Sequence, residues 1–420
     1  MIKIIFGLML LIASPAFAQT CESTPNADYG PRPTETRPSN AVDIVPGASI
    51  QSAVKANAAG TVFWLRRGVH PVTAPITPKS GMSFIGEYGA CLDGSNWTTS
   101  APDYYAAIMA HMQDIDNVTI RNLVIRDMPQ RAIHGYPSYS DGWVIEHNEI
   151  AYNRSGVGIP NGAIVRRNYI HHNNGDSNGG LIANGGYIAG YGVRDLLIEH
   201  NEIAYNGAIQ KILGAQRVTF RNNYLHHNGN GIWFDGDNVD IVIEGNTLDD
   251  NTGEGIWHEV GGRAVIRNNI VRRSGVSCIF LSTSRDVEVY GNTCDSNWRG
   301  INLFWSCQTS NGYAGDIGHD LRNNRVHDNM TIVGTRGGSI ASSVSVDGRC
   351  TSTQAAPYLT NTKANVFARN RYATPTDDGW WHWNAPKSWT QWQAIPQDVD
   401  SSSERSGAGP LPPPNVRLVL

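Results

Sequence analysis

The feature that most constrains this chain is a repeat. Across residues 209–291, near-copies of one pattern follow each other: a short apolar strand, a turn, and a second strand carrying Asn at a fixed place. Asn223, Asn246, Asn269 and Asn292 recur at one constant spacing, and at a constant offset after each stand Asn228, Asn251, Ser274 and Asn297. A fixed period of this length, built of short strands and no long helices, is the signature of a solenoid. Such strands cannot hairpin back within one repeat and leave every copy equivalent. They can wind into a coil, so that each lies parallel to its copy one turn later, about 4.8 Å away. The predicted fold class is all-β, a right-handed single-stranded parallel β-helix of about ten or more coils with three strands per coil.

The recurring Asn reads as structure rather than chemistry. Asn tolerates the left-handed backbone of a turn, and its amide can bond to the copies above and below. The ladder extends to Asn122, Asn148, Asn168, Asn201, Asn223, Asn246, Asn269, Asn292 and Asn324. Its steps are too long between Asn168 and Asn201 and between Asn292 and Asn324. The surplus predicts loops within residues 174–194 and 305–320. Insertions in solenoids gather on one face, often the binding face.

The rest of the chain frames this domain. Residues 1–18 have one Lys, an apolar centre and an Ala16-Phe17-Ala18 end, the pattern of a secretory signal peptide. The expected location is therefore secreted or periplasmic. Residues 19–43 read as an extended lead-in, 44–400 as the solenoid with its caps, and 401–420 as a Pro-rich tail. Residues 46–60 predict a short helix, which would cover the apolar end and open strand edges of the first coil. Residues 330–360 read as a loop or irregular coil, and Asn370 as the mark of one last coil. Trp is dense in residues 379–383 and 388–394, and the second stretch reads as a C-terminal capping helix. No later stretch is long and apolar enough to span a bilayer, and a net charge of −4 offers no basic field for nucleic acid. The six Cys permit disulfides in an oxidising compartment; Cys21–Cys91 and Cys307–Cys350 are the expected pairs, with Cys278 a small buried hydrophobe.

Alternation within the repeats brings particular residues together. In Gly231-Ile232-Trp233-Phe234-Asp235, Trp233 and Asp235 share a face, and one coil later Trp257 and Glu259 repeat them. Phe280 and Ser282 continue the two columns. Counting back from Asp235 by the same step that separates it from Glu259 places Lys211 in the same column. Lys211, Asp235 and Glu259 are therefore expected to stack, flanked by Ile209, Trp233, Trp257 and Phe280, with His258 alternating inward as a core or supporting residue. The His171-His172 and His226-His227 pairs occupy equivalent turns and read as repeat-encoded rather than metal-binding.

Two outward carboxylates on adjacent coils should sit roughly 5–6 Å apart, close to the separation a retaining glycosidase needs between nucleophile and acid/base. Lys211 would keep Asp235 ionised, leaving Glu259 as the protonated partner. Trp233, Trp257 and Phe280 could supply flat apolar faces for sugar rings. Two other readings stay open. In a polysaccharide lyase, Lys211 would be the base beside a uronate, and Asp235 with Glu259 could hold a cation such as Ca²⁺. In a non-catalytic glycan-binding solenoid the same face would bind without turnover.

The periodicity over residues 45–400 resembles the superfamily of carbohydrate-active right-handed β-helix proteins. More narrowly, GIWFD, then GIWHEV one coil later, then AVIRNNIV resemble the catalytic coils of glycoside hydrolase family 120, the β-xylosidases. That resemblance implies an Asp nucleophile at Asp235 and a Glu acid/base at Glu259. The turn Gly261-Gly262-Arg263 departs from that family's, so the resemblance implies the type of site rather than xylose as substrate. The resulting expectation is a monomeric glycoside hydrolase acting on a polysaccharide or oligosaccharide, with no cofactor required.

Overall fold

The structure, a computed structural model, describes residues 28–405 except 99–104, 111, 136–138, 174–187, 208–210, 308–318, 334–339, 377–378 and 396. Successive coils stack in parallel register. One coil runs through Ile256–Gly262, Val265–Arg267 and Ile270–Arg272 before Ser277–Arg285 opens the next. Each of the three strands pairs with its counterpart a coil away, as in Ile243↔Ile266, Leu248↔Val271 and His258↔Leu281. Among the described residues the one antiparallel pairing is the terminal hairpin joining Trp381 to Lys387. A right-handed path between parallel neighbours follows from the twist of L-amino-acid strands.

The core is a set of vertical stacks. Ile198, Phe220, Ile243, Ile266, Val289, Val326 and Phe367 lie in register, all buried. A second stack runs Ile150, Ile170, Ile203, Leu225, Leu248, Val271 and Cys294. Each such side chain stabilises the fold by about 1.5–3 kcal/mol relative to exposure. Cys278 and Cys294 face each other across this interior and form a disulfide, so Cys278 is a cross-link rather than a hydrophobe. Cys307–Cys350 is bonded as expected; Cys21 lies outside the described residues.

Asn ladders line the turns. Asn148, Asn168, Asn201, Asn223, Asn246, Asn269, Asn292, Asn329 and Asn370 form one continuous chain, each Nδ2 donating to the next Oδ1 at 2.9–3.1 Å. Asn153, Asn173, Asn206, Asn228 and Asn251 form a second. Two corrections follow. Asn122 stands one place before the ladder, since Asn148 Oδ1 accepts from Leu123 N. Asn324 belongs to a different turn, paired with Asn365. The left-handed conformation also falls on the residue before each ladder Asn, such as His147, Asn222 or Asn268. Gly245 and Gly291 take that place in other coils, where a Cβ would lie 2.4 Å from an Asn Oδ1 below. The ladder Asn is thus selected for its buried amide, not for its backbone.

Both ends are closed. Helix α1 (Ile50–Ala56), capped by Ser49, buries Ile50 and Val54 over the first coil. The lead-in is also docked: Gly30 N donates to Arg167 O, and Val42–Ile44 pairs with the strand after it. Residues 330–360 contain strand Ile340–Val346 and helix α2 (Ser352–Leu359), opened by a Thr351/Gln354 capping box. The Thr-x-x-Gln spacing carried that signal in the sequence. Helix α3 (Trp389–Gln393) caps the C-terminal end, with Trp381 and Trp392 fully buried and Trp392 Nε1 donating to Asp398 Oδ2 at 2.9 Å. Pairing continues past residue 400, as Ser402–Arg405 adds to Arg371–Thr374.

Asn246 accepts from Asn223 N and Nδ2 and donates to Phe220 O and Asn269 Oδ1. Asn246→Ala strands buried groups on the coils before and after it and is expected to cost about 2–3 kcal/mol, read as a lower urea midpoint. Asn222→Gly, at the exposed left-handed position, should stay within about 0.5 kcal/mol of the parent.

Candidate functional site

One face of the solenoid carries the residues singled out by the repeat. Its strands include Ile212–Leu213, Ile232–Asp235, Ile256–Gly262, Ser277–Arg285, Arg299–Trp305 and Ile340–Val346. The register Trp233↔Trp257↔Phe280↔Asn302↔Ser343↔His382 defines one outward column. Two residues further along each strand, Glu259↔Ser282↔Phe304↔Ser345 defines a second, and one coil earlier Asp235 follows Phe234, the partner of His258.

Lys211 enters differently from the expectation. Ile212 pairs with Phe234 and Leu213 with Asp235, so Lys211 stands opposite Trp233 rather than in the carboxylate column. The step from Ile212 to Phe234 is shorter than the next one, from Phe234 to His258. The side chain's length makes up the difference. Its ammonium lies 4.4 Å from the centroid of the Trp233 ring and forms an ion pair with Asp235 Oδ2. Glu259, 8 % exposed, accepts a hydrogen bond of 3.2 Å from Trp233 Nε1. The carboxylates thus have separate anchors: a cation for Asp235, an indole N–H for Glu259.

The tryptophans are not the open platform that alternation suggested. Trp233 and Trp257 stack face to face, with centroids 4.0 Å apart and planes at 2°. Lys211 covers the other face of Trp233, and Phe280 lies 5.6 Å beyond Trp257, tilted 47°. Their flat faces are therefore used within the protein, because identical rings on coils about 4.8 Å apart stack on each other. Phe280 and Phe304, half-buried and 5.7 Å apart, are the outward aromatic surface next to the carboxylates. Ile209 lies outside the described residues.

His258 is removed from substrate contact. It points into the core between Phe234 and Leu281 and is fully buried. Its Nδ1 is 2.8 Å from Ser284 Oγ, while Nε2 is buried with no hydrogen-bond partner. Burial lowers its pKa from 6.5 to about 4, so the ring is neutral in the folded protein at ordinary pH. The His171-His172 and His226-His227 pairs sit on the turn face. His172 and His227 stack against Tyr205 at 5.1 and 4.9 Å, and no described group of three or more His, Cys, Asp or Glu could hold a metal ion.

Two features of this face are not legible in the repeat. Asp237, fully buried two residues after Asp235, is hydrogen-bonded to Nε2 of His319. His319 lies near the end of the insertion expected to wall the site; residues 308–318 of that insertion, and residues 174–187 of the other, lie outside the described residues. Next to it Asp320 is ion-paired with Lys363 at 2.9 Å and Leu321 is buried, so the end of the insertion is fixed against the coils. Arg299 lies outward two coils beyond Glu254 and has electrostatic contact with it. Neither Asp237–His319 nor Glu254–Arg299 is a pair of neighbours along the repeat, so no periodic signal points to them.

Fold and face together define a parallel β-helix with a polar, aromatic-lined stripe along one side. The chain belongs to the right handed beta helix region family, whose model matches residues 106–294 and 211–372. No curated protein matches it in sequence. Solved structures resemble it in fold. The A-module of the Azotobacter vinelandii mannuronan C-5 epimerase AlgE6 does so with a TM-score of 0.55 at 16% identity, over 78% of this chain and 91% of that one. XylC, solved in complex with xylose, does so at 0.54 and 12%, over 86% and 83%. A mutant tailspike protein of E. coli bacteriophage HK620, in complex with a pentasaccharide, does so at 0.50 and 10%, over 80% and 66%.

The depressed His258 fixes a sign for acid sensitivity. Between about pH 6.5 and 4 the unfolded chain protonates this residue and the folded protein does not. Stability contributed by the neutral ring is thus lost as pH falls through that window, by about 3 kcal/mol at its lower end. His258→Leu, which matches the apolar column around it, should flatten the pH dependence of the melting temperature between pH 6.5 and 4. An unchanged slope would count against this account.

Proposed function

We propose that the protein is an exported carbohydrate-active enzyme that hydrolyses glycosidic bonds with retention of configuration. The observation that carries the reading is a pair of carboxylates on consecutive coils, one held by an ammonium and the other by an indole N–H. Asp235 is the nucleophile and Glu259 the acid/base. In the first step Glu259 gives its proton to the leaving glycosidic oxygen while an Asp235 oxygen bonds to the anomeric carbon. In the second, Glu259 takes a proton from water, whose oxygen displaces Asp235. Lys211, ion-paired with Asp235, fixes the direction of its attack; Trp233 fixes Glu259. The stacked tryptophans serve as a rigid bed for both groups, and the sugar rests against Phe280 and Phe304.

The sugar ligands of fold neighbours support a carbohydrate partner, namely xylose for XylC and a pentasaccharide for the tailspike. An eliminating enzyme with Lys211 as base fits less closely. The Lys211 nitrogen is engaged by Asp235 and lies over the Trp233 ring, so it is committed within the protein rather than placed to reach a substrate proton.

The test is the protein against a panel of neutral and acidic polysaccharides, reading new reducing ends and the ultraviolet absorbance of unsaturated uronate on the same samples. Reducing ends without absorbance are expected. Glu259→Gln should lower the rate by about 10²–10⁴-fold, and Asp235→Asn should abolish turnover with binding retained. Absorbance that rises with the reducing ends and survives Asp235→Asn would transfer the chemistry to elimination.

A further inference from the structure

We propose that Arg299 forms a subsite for an acidic substituent of the glycan, a carboxylate or a sulfate ester, at the C-terminal end of the same face. The proposal rests on the reading that this face binds carbohydrate, and it adds the class of carbohydrate.

Arg299 opens the strand Arg299–Trp305 and pairs with Ser277. The next residue, Gly300, would point a Cβ inward at Thr331, so Arg299 projects to the outside. Many arginines on the coils are matched to a carboxylate one coil away, as Arg221 is to Glu199, Arg267 to Glu244 and Arg272 to Asp249. Arg299 departs from that pattern. Among the described residues no carboxylate forms an ion pair with its guanidinium, Glu254 acting on it only at longer range, and its Nε is buried without a hydrogen-bond acceptor. Leaving the fork of donors of a half-buried guanidinium unmatched is costly. An anion delivered by a ligand would complete it, and a planar or tetrahedral oxyanion fits that fork in two-point contact.

The surroundings favour the same ligand. His382, at the end of the Trp257–Phe280–Asn302–Ser343 column, has its pKa lowered by burial and then by the charges of Arg299 and Lys387. Two cationic side chains, Arg299 and Lys387, thus stand at this end, close enough to His382 to disfavour its protonation. The acid on the other side is Glu254, whose pKa is raised by burial, with Arg299 opposing the rise. Between the basic end and the Asp235–Glu259 pair lie Phe280 and a chain of polar contacts. Asn302 Nδ2 donates to Ser277 Oγ at 2.8 Å, and Ser343 Oγ donates to Asn302 Oδ1. Arg299 is two coils, about 10 Å along the axis, from the coil of Glu259. It therefore contacts a sugar other than the one being cleaved, and contributes to specificity rather than to chemistry.

Binding, not turnover, tests this. Isothermal titration would compare a galacturonate hexamer, a sulfated galactan oligosaccharide and neutral xylohexaose, on the wild-type protein, Arg299→Gln and Arg299→Lys. At least one acidic ligand should bind about tenfold or more tightly than the neutral one. That preference should disappear in Arg299→Gln and survive in part in Arg299→Lys. Which acidic ligand wins identifies the anion. Equal affinity for neutral and acidic ligands, failure of both acidic ligands to bind, or an acidic preference untouched in Arg299→Gln would each overturn the proposal. Arg299→Lys keeps the charge and the packing, so a misfolded Arg299→Gln would not obscure the result. An Arg299-dependent acidic preference without any release of reducing ends would leave this subsite standing and remove the hydrolase. Hydrolysis with no such preference would do the reverse.

Discussion

The structure depends on one constraint: every coil must place its backbone within hydrogen-bonding distance of the next, in parallel and in register. Short strands alone specify register weakly, since a slip by one residue exchanges inside and outside. The Asn ladders remove that freedom. Each ladder Asn is buried, and each amide is tied both to a backbone carbonyl of one coil and to the Asn of another, as Asn223 is to Ile198 O and Asn246 Oδ1. A slipped coil would leave several buried polar groups without partners at once, a penalty that grows with every coil. The Cys278–Cys294 disulfide ties the interior at one level, and α1 and α3 close the ends where the repeat has no further copy to bond.

The same register builds the candidate site. Because outward residues of successive coils lie about 4.8 Å apart, like groups are forced to be neighbours. Two tryptophans become a stack and two acids become a pair. The protein balances the acids with groups from adjoining coils, Lys211 on one side and Trp233 on the other. Asp235, Glu259 and Trp233 sit on strands, and the stacked rings of Trp233 and Trp257 hold the indole that anchors Glu259. Towards the C-terminal end of the same face stand Arg299 and Lys387, both close enough to His382 to disfavour its protonation.

Much of this was legible. The constant spacing of Asn223, Asn246, Asn269 and Asn292 was enough for the fold, because a period and a strand pattern together leave few ways to bury one face. Alternation within GIWFD and GIWHEV placed Trp233, Asp235, Trp257 and Glu259 outward and His258 inward. What alternation could not reveal is what covers an outward face. Trp233 and Trp257 point outward yet bury their rings against each other. Lys211 stands in a different column from the one that counting predicts, because the step from Ile212 to Phe234 is shorter than the step that follows it. It reaches Asp235 by the length of its side chain.

The sequence by itself determined the architecture and the column that carries the acids, since both follow from periodicity, which is a property of one dimension. Only the tertiary structure decided which groups meet across that periodicity. Asp237 with His319, Cys278 with Cys294, and Arg299 with its unmatched Nε are placed in the chain at irregular distances from what surrounds them. Their relations depend on how far insertions carry the chain and on which side chains are long enough to close the remaining gap. Those are properties of packing in three dimensions, and no repeat encodes them.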